Sequence, residues 1–473
     1  MVQAWDDLDE DSQRLFRRQM EVYAGFVDHT DAQIGRLVDA MRDLEVFDDT
    51  LVVFLSDNGA SSEGGPRGAT NTERFRNTMN QSIEEMLGDI DELGGPGTDP
   101  HYAMGWSQAG NTPFKRWKRD THRGANTDPM IVHWPKGIDD AGAIRSQYHH
   151  VTDVYPTLLE IAGLPVPERV NGVDQMPLEG HSFASTIRQP DAGEVRDTQY
   201  YEMLGSRAIW HDGWTAVTWH RAGTDWDDDQ WELYHQDVDY SQAHDVADEH
   251  PEKLAELIDL WWDEARSHNV LPLDDRGRDR FIDPKRPAAS EDRDVYRYYP
   301  GTKPIPNPSL PRILNARHAI TAHVTLQSAD DEGVLASQGA ELGGWVLFLQ
   351  NGRPRYVNNV LRMEFTEVAG AEPLPVGREV AVRVEYEPIE QGWGTARLLV
   401  DGEEVGRNER MRIAPMGFSM VQEGFCVGES WGPPVAYEDY EGAFPFTGSL
   451  RCVELETDPD SQVWTPRREW KKV

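Results

Sequence analysis

Thr50-Leu51-Val52-Val53-Phe54-Leu55-Ser56-Asp57-Asn58-Gly59 is the stretch on which the fold reading turns. A short continuous apolar run stops abruptly at a polar turn. Such a run suits a strand buried on both faces of a parallel sheet. Upstream, Leu15, Phe16, Met20, Tyr23, Phe26, Val27, Ile34, Leu37, Val38, Met41 and Leu44 recur at helical spacing. This pattern predicts one long helix over 7–45, with Asp9 and Asp11 as candidate caps. A helix, a buried strand and a polar turn at the strand's C-terminal end is α/β organisation, and such folds place ligands at those strand ends.

Downstream, residues 59–112 are rich in Gly, Ser and Asn, with a predicted helix near 73–92. A loop of that length inside a compact domain is a functional candidate. Residues 129–135 read as a second strand, 151–162 as a helix with Pro156 near its start, and 197–240 as a small antiparallel set. Residues 250–267 read as a helix closing a first domain at about 270. Residues 271–310 are rich in Pro, Asp and Arg without an apolar period, and read as a linker. From 311 to 457 short period-2 runs alternate with Gly turns, at 318–326, 344–350, 379–386, 395–400, 424–428 and 448–455. Asp401-Gly402 is a hairpin signal. This is an all-β sandwich, followed by a tail over 458–473.

The chain has 46 basic against 83 acidic residues, a formal net charge of −37. That acidity argues against a nucleic-acid partner, which needs a basic face. No run of apolar residues is long enough to span a membrane. The acidic start Met1-Val2-Gln3-Ala4-Trp5-Asp6-Asp7 lacks the apolar core of a secretion signal. A cytoplasmic location is thereby favoured over a periplasmic or secreted one, although the same protein in longer form could be exported. The two cysteines, Cys426 and Cys452, make neither a disulfide framework nor a zinc-ligand spacing.

Two local features carry chemistry. Asp57 and Asn58 offer adjacent hard oxygen ligands at the mouth of a strand, suited to Ca²⁺ or Mg²⁺. Turn chemistry alone also favours these residue types there. The second feature is 112–124, Thr-Pro-Phe-Lys-Arg-Trp-Lys-Arg-Asp-Thr-His-Arg-Gly, a basic cluster in an acidic chain. A divalent cation beside a fixed ammonium suits an anionic oxyester, whose oxygens gain charge in the transition state. His149 and His150 precede a helix, with Asp153 as its cap candidate. Trp210, Trp214, Trp231, Trp261 and Trp262 are sugar-stacking candidates only if exposed, and otherwise core.

In this order and with these flanks, the passages resemble the sulfatase family of the alkaline phosphatase superfamily, close to bacterial arylsulfatases. The resemblance rests on Tyr23-Ala24-Gly25 through Ile34-Gly35-Arg36-Leu37 and Val53–Gly59, and on Thr112-Pro113-Phe114 with Lys118 and Thr121-His122-Arg123-Gly124 before Asp128-Pro129-Met130. It also rests on His150-Val151-Thr152-Asp153 with Gly163-Leu164-Pro165, and on Trp231-Glu232-Leu233-Tyr234 with His250-Pro251-Glu252. It covers roughly residues 1–280. It implies an alkaline-phosphatase-like α/β domain, with Asp57 and Asn58 as metal ligands for Ca²⁺, or Mg²⁺, and Lys118 as the sulfate-contacting lysine. His122 and His150 become candidates for supporting positions. The sandwich resembles laminin-G-like or concanavalin-like jelly rolls at Gly343-Gly344-Trp345, Asp401-Gly402 and Phe446-Thr447-Gly448.

The family's nucleophile is a formylglycine made in a Cys/Ser-x-Pro/Ala-x-Arg motif. No cysteine precedes Cys426, and the near matches at Ser107, Ser182, Ser241 and Ser309 lack the Arg in register. The resemblance therefore implies the C-terminal part of a sulfate monoester hydrolase. That part is expected to be inactive or nearly so alone, with a separate N-terminal half as one candidate partner beside the alternatives of a natural truncation or a gene-model artefact. Two further readings remain open: a phosphonate or phosphodiester hydrolase of the same superfamily, and a non-catalytic chain whose sandwich binds glycans.

Overall fold

The computed structural model describes residues 2–277, 280, 293–311, 313–418 and 424–463. The helical periodicity folds into α1, Glu10–Asp43. The Asp9 carboxylate caps it, accepting from the Ser12 amide at 2.7 Å. Leu15, Phe16 and Gln19 are buried. Gln19 donates to the Arg67 carbonyl and accepts from the Ala103 amide, each at 3.0 Å. Further along the same apolar stripe, Phe26 is 67% and Leu37 62% exposed.

The deciding stretch forms strand β1, Val52–Leu55. Its partner β2, Met130–His133, runs antiparallel, with Leu55 opposite Met130. The expectation of a parallel strand buried on both faces is corrected here. The two strands form a sheet of their own, and Phe54, Leu55 and Ile131 are exposed. An apolar run specifies a strand, but its neighbours decide pairing and burial. The helix expected near 73–92 is two short ones, α2 (Thr72–Arg76) and α3 (Ile83–Gly88), the second opened by a reciprocal Ser82–Glu85 capping box. Then come α4 (Met104–Gly110), α5 (Arg123–Asn126) and α6 (Val154–Ala162), which ends at Gly163 with φ 66°. A two-strand ribbon, β3 (Arg169–Val170) and β4 (Val173–Asp174), precedes α7 (Ala184–Arg188).

The antiparallel set is β5 (Thr198–Met203), β6 (Ser206–His211), β7 (Trp214–Thr218) and β8 (Trp231–His235), paired in chain order. Helix α8, Pro251–Ser267, packs Leu257, Trp261 and Ala265 onto Ile209, Ala216 and Leu233 of that sheet. The tryptophans are core here. Trp261 is fully buried, and the Arg207 guanidinium lies 5.2–5.8 Å from the rings of Trp226, Trp231, Trp261 and Trp262. Arg207 is itself neutralised by the buried Asp229. A buried cation that keeps both a carboxylate and aromatic faces avoids the penalty of an unpaired charge.

The sandwich begins inside the expected linker, with β9 at Val295–Tyr298. It continues through β10 (Arg317–Thr325), β11 (Gly333–Ala340), β12 (Gly343–Gln350), β13 (Arg353–Val360), β14 (Glu364–Ala369), β15 (Glu379–Glu390), β16 (Trp393–Val400), β17 (Glu403–Arg412), β18 (Phe425–Val427) and β19 (Ser449–Asp458). One sheet has the order β17-β16-β15-β10-β19-β9 and the other β14-β13-β12-β11-β18. Their inner faces share a core built on Ile320, Ala322, Val382, Val384, Trp345 and Leu347. The Asp401-Gly402 turn has φ of 50° and 86°, the left-handed pair a two-residue hairpin needs. Cys426 and Cys452 are both buried, and no disulfide joins them. The chain divides into two compact units that do not follow chain order. Residues 1–22 and 63–103 belong with the sandwich, whereas 23–62 and 104–277 form the other unit. The C-terminal tail beyond 463 lies outside the described residues.

Candidate functional site

Asp57 and Asn58 occupy the turn at the end of β1, where the Asn58 amide donates to the Asp57 carboxylate. The residues just after them are sewn to the 111–125 loop. The Gly59 amide donates to the Ala125 carbonyl at 3.0 Å, and the Lys118 amide to the Ala60 carbonyl at 3.1 Å. Asn111 ties the two segments together. Its Oδ1 accepts from the Ala60 amide at 3.0 Å, and its Nδ2 donates to the carbonyls of Arg116 at 2.9 Å and Gly124 at 2.6 Å. The structure thus brings the Asp57-Asn58 turn and the Lys118 loop, 60 residues apart in sequence, to one end of the β1–β2 pair.

The seam is tight enough to dictate residue type. A Cβ on Gly59 would lie 1.8 Å from the Gly124 carbonyl oxygen. One on Gly124 would lie 2.3 Å from the Arg116 oxygen and 2.5 Å from that of Lys115. On either side of Lys118, Arg116 and Arg119 have φ of 70° and 76°. Non-glycine residues held in that region store strain, which clusters at functional sites.

His122 is almost fully buried, and both ring nitrogens have acidic partners. Nδ1 lies 2.7 Å from Asp120 and Nε2 3.2 Å from Glu232. Burial disfavours the charged ring, but the two carboxylates outweigh it and raise the His122 pKa. Burial likewise pushes against the charged forms of Asp120 and Glu232, yet the His122 contacts hold both below the ordinary carboxylate range. Lys115 Nζ completes the cluster, 3.1 Å from Glu232 and 2.5 Å from the Tyr234 hydroxyl. With both nitrogens engaged, His122 anchors the loop to β8 rather than offering a free base.

His150 stands apart from this seam. Its Nδ1 meets the Thr152 hydroxyl at 2.9 Å, and its amide donates to Asp153 at 2.8 Å. Asp153 is fully buried, accepting also from the His181 amide at 2.8 Å and Arg196 at 2.6 Å. His149 reaches the Thr186 hydroxyl at 3.0 Å and stacks on Phe183. Burial lowers the pKa of both histidines; His150 caps the turn before α6, whereas His149 packs against α7.

One site residue went unread in the sequence. Asp128 has its pKa raised to about 6, first by burial and then by the charge of Asp57. The β1–β2 register explains the proximity. Leu55 faces Met130, so Asp57 and Asp128 extend the same antiparallel register by two positions on each strand. Two carboxylates and an amide oxygen at one strand end form an acidic cluster whose mutual repulsion a hard divalent cation would relieve.

Comparison with known proteins places the first part of the chain among sulfatases. Residues 2–164 match the family model described as Sulfatase, and residues 115–261 match N-sulphoglucosamine sulphohydrolase, C-terminal. An uncharacterized sulfatase of Schizosaccharomyces pombe is 28% identical over 262 residues, covering 55% of this chain and 46% of the relative. An arylsulfatase of Klebsiella aerogenes is 30% identical over 183 residues, covering 38% and 37% respectively. The chain therefore spans less than half the length of these curated relatives. Among solved structures, domains LG4-5 of the mouse laminin alpha1 chain align at 17% identity and a TM-score of 0.24, covering 37% of this chain and 45% of theirs.

Proposed function

The chain belongs to the sulfatase family through residues 2–261, and on that premise we propose that it is the C-terminal part of an arylsulfatase-type hydrolase of sulfate monoesters. The observation that carries the reading is the Asn111 seam, which draws the Asp57-Asn58 turn and the Lys118 loop to one strand end. Asp57 and Asn58 are the proposed ligands of a single Ca²⁺, with Mg²⁺ as the alternative ion. Asp128 adds a third oxygen donor. The donor set fits: all oxygen, hard, and carrying carboxylate charge that already perturbs its own members. When bound, the cation supplies positive charge against the sulfate oxygens. Lys118 orients the substrate and stabilises a non-bridging or leaving-group oxygen as charge grows on it. His122 acts at one remove by fixing the loop on which Lys118 stands.

This chain carries no Cys/Ser-x-Pro/Ala-x-Arg motif. The nucleophile is therefore proposed to lie outside these 473 residues, on an N-terminal portion that would also supply the remaining carboxylate ligands. The purified 473-residue chain should not turn over 4-nitrophenyl sulfate. Mixed with a polypeptide bearing the aldehyde nucleophile, it should release 4-nitrophenol in a Ca²⁺-dependent way, and Lys118→Ala should abolish that release. Strong turnover by the chain alone would refute the division of labour. A mixture faster on phosphate than on sulfate esters would overturn the choice of ester.

A further inference from the structure

The outer face of the larger sandwich sheet holds a group that the sulfatase reading does not use. Along β19, Val453 and Leu455 point into the core. Strand alternation therefore turns Cys452 and Glu454 to the opposite face. His323 on β10 is the register partner of Cys452, so its ring stands beside them. One ligand atom each from His323, Cys452 and Glu454 lie within 4.8 Å of one another. A bound Zn²⁺, with Zn–S and Zn–N bonds of 2.0–2.3 Å, would separate such atoms by about 3.5 Å.

Four details favour a cation over a simple polar contact. First, the Cys452 thiol is free and buried. Second, the buried His323 Nε2 faces Glu454 Oε2 at 3.5 Å, a separation at the limit for a hydrogen bond. Third, the other ring nitrogen, Nδ1, is 4.0 Å from Glu379, itself held by Arg451 at 2.8 Å. Metal-ligating histidines are oriented by a carboxylate hydrogen-bonded to the far nitrogen, and Glu379 would take that place after closing by about 1 Å. Fourth, Arg297 takes the other Glu454 oxygen at 2.7 Å, which leaves Oε2 facing the group. A thiolate, a carboxylate and a neutral imidazole together carry the charge that balances a divalent ion.

We propose that His323, Cys452 and Glu454 form a binding site for a thiophilic divalent cation of the zinc class, with solvent completing the coordination. The site is separate from the proposed oxygen-ligand Ca²⁺ position. Reading cysteine spacing along the chain misses it, because the ligands come from two hydrogen-bonded strands 129 residues apart between His323 and Cys452.

Cobalt(II), a spectroscopic stand-in for zinc, tests this on the full chain. Titration should produce a sulfur-to-cobalt charge-transfer band in the near ultraviolet, bleached by added Zn²⁺. Cys452→Ser and His323→Ala should lose the band, whereas Cys426→Ser should keep it. Glu379→Gln should weaken binding by about 10- to 100-fold, the usual effect of disturbing an orienting carboxylate. X-ray absorption on zinc-loaded wild-type protein should show one sulfur in the coordination shell, and this needs no variant to fold. Binding without a thiolate band, no binding at all, or equal loss in Cys426→Ser would overturn the proposal.

Discussion

Replacing Asn111 should loosen the proposed catalytic end without touching any residue assigned to chemistry. Its side chain makes three hydrogen bonds across the seam, at 3.0, 2.9 and 2.6 Å. Each contributes about 1 kcal/mol net. Asn111→Ala should therefore lower the local opening free energy of the seam by about 2–4 kcal/mol. At tenfold per 1.4 kcal/mol, amide exchange in segments 59–60 and 116–125 should accelerate by about 30- to 700-fold. Hydrogen–deuterium exchange read by mass spectrometry resolves such changes, and peptides from the sandwich serve as an internal control. Asn111→Asp sharpens the test. It keeps the acceptor for the Ala60 amide but turns a carboxylate toward the carbonyls of Arg116 and Gly124. It should exchange at least as fast as the alanine variant. Wild-type exchange rates in Asn111→Asp would refute the view that the amide donor holds the loop.

Three further outcomes follow from the same geometry. Gly59→Ala, which would place a carbon 1.8 Å from the Gly124 oxygen, should destabilise its unit by about 1–3 kcal/mol in chemical denaturation, and a neutral result would mean the approach is looser. The raised His122 pKa contributes stability that is full below about pH 6.5 and lost as pH rises through the folded value, whereas the lowered pKa values of Asp120 and Glu232 contribute stability that is lost on acidification through theirs. His122→Gln should accordingly flatten the alkaline limb of a plot of melting temperature against pH. Asp57→Asn should lower the Asp128 pKa from about 6 but leave it above the ordinary value, because burial remains. A raised carboxylate favours the folded state at low pH and loses stability as pH climbs toward 6, so the variant should recover part of that loss. A ¹³C titration of the Asp128 carboxyl that does not move would count against the pairing.

Elements with a strong local signal were legible in the sequence. The α1 periodicity, the β5–β8 alternation and the Asp401-Gly402 turn all read true, because a local signal determined a local geometry. Five sandwich strands were not legible, β9 among them because it lies in the stretch read as a linker. β13 carries Pro354, Asn358 and Asn359, which are poor strand formers, yet Asn359 is buried by bonding the carbonyls of Glu341 and Val435. β17 is dense in charge and is held beside β16 by cross-strand contacts such as Arg410 over the Trp393 ring. β11 and β14 had no clear alternation to find. In the site, Asp57, Asn58 and Lys118 could be picked out as residue types in a motif. Asp128 could not, because its partnership with Asp57 depends on an antiparallel register where a parallel neighbour was expected.

The bare apolar residues on α1, β1 and β2 have a colloidal consequence. Phe26, Leu37, Phe54 and Ile131 each leave half or more of their surface in water, and a two-stranded sheet presents open hydrogen-bonding edges on both sides. Set against that attraction is the mutual repulsion of molecules carrying a net charge of −37. Repulsion acts over a screening length of about 30 Å at 0.01 M salt but only about 8 Å at physiological strength. Ionic strength thus becomes the control on whether copies stay dispersed or adhere through their uncovered edges. A dilute buffer that keeps the protein clear would owe its effect to charge, and salt would withdraw it.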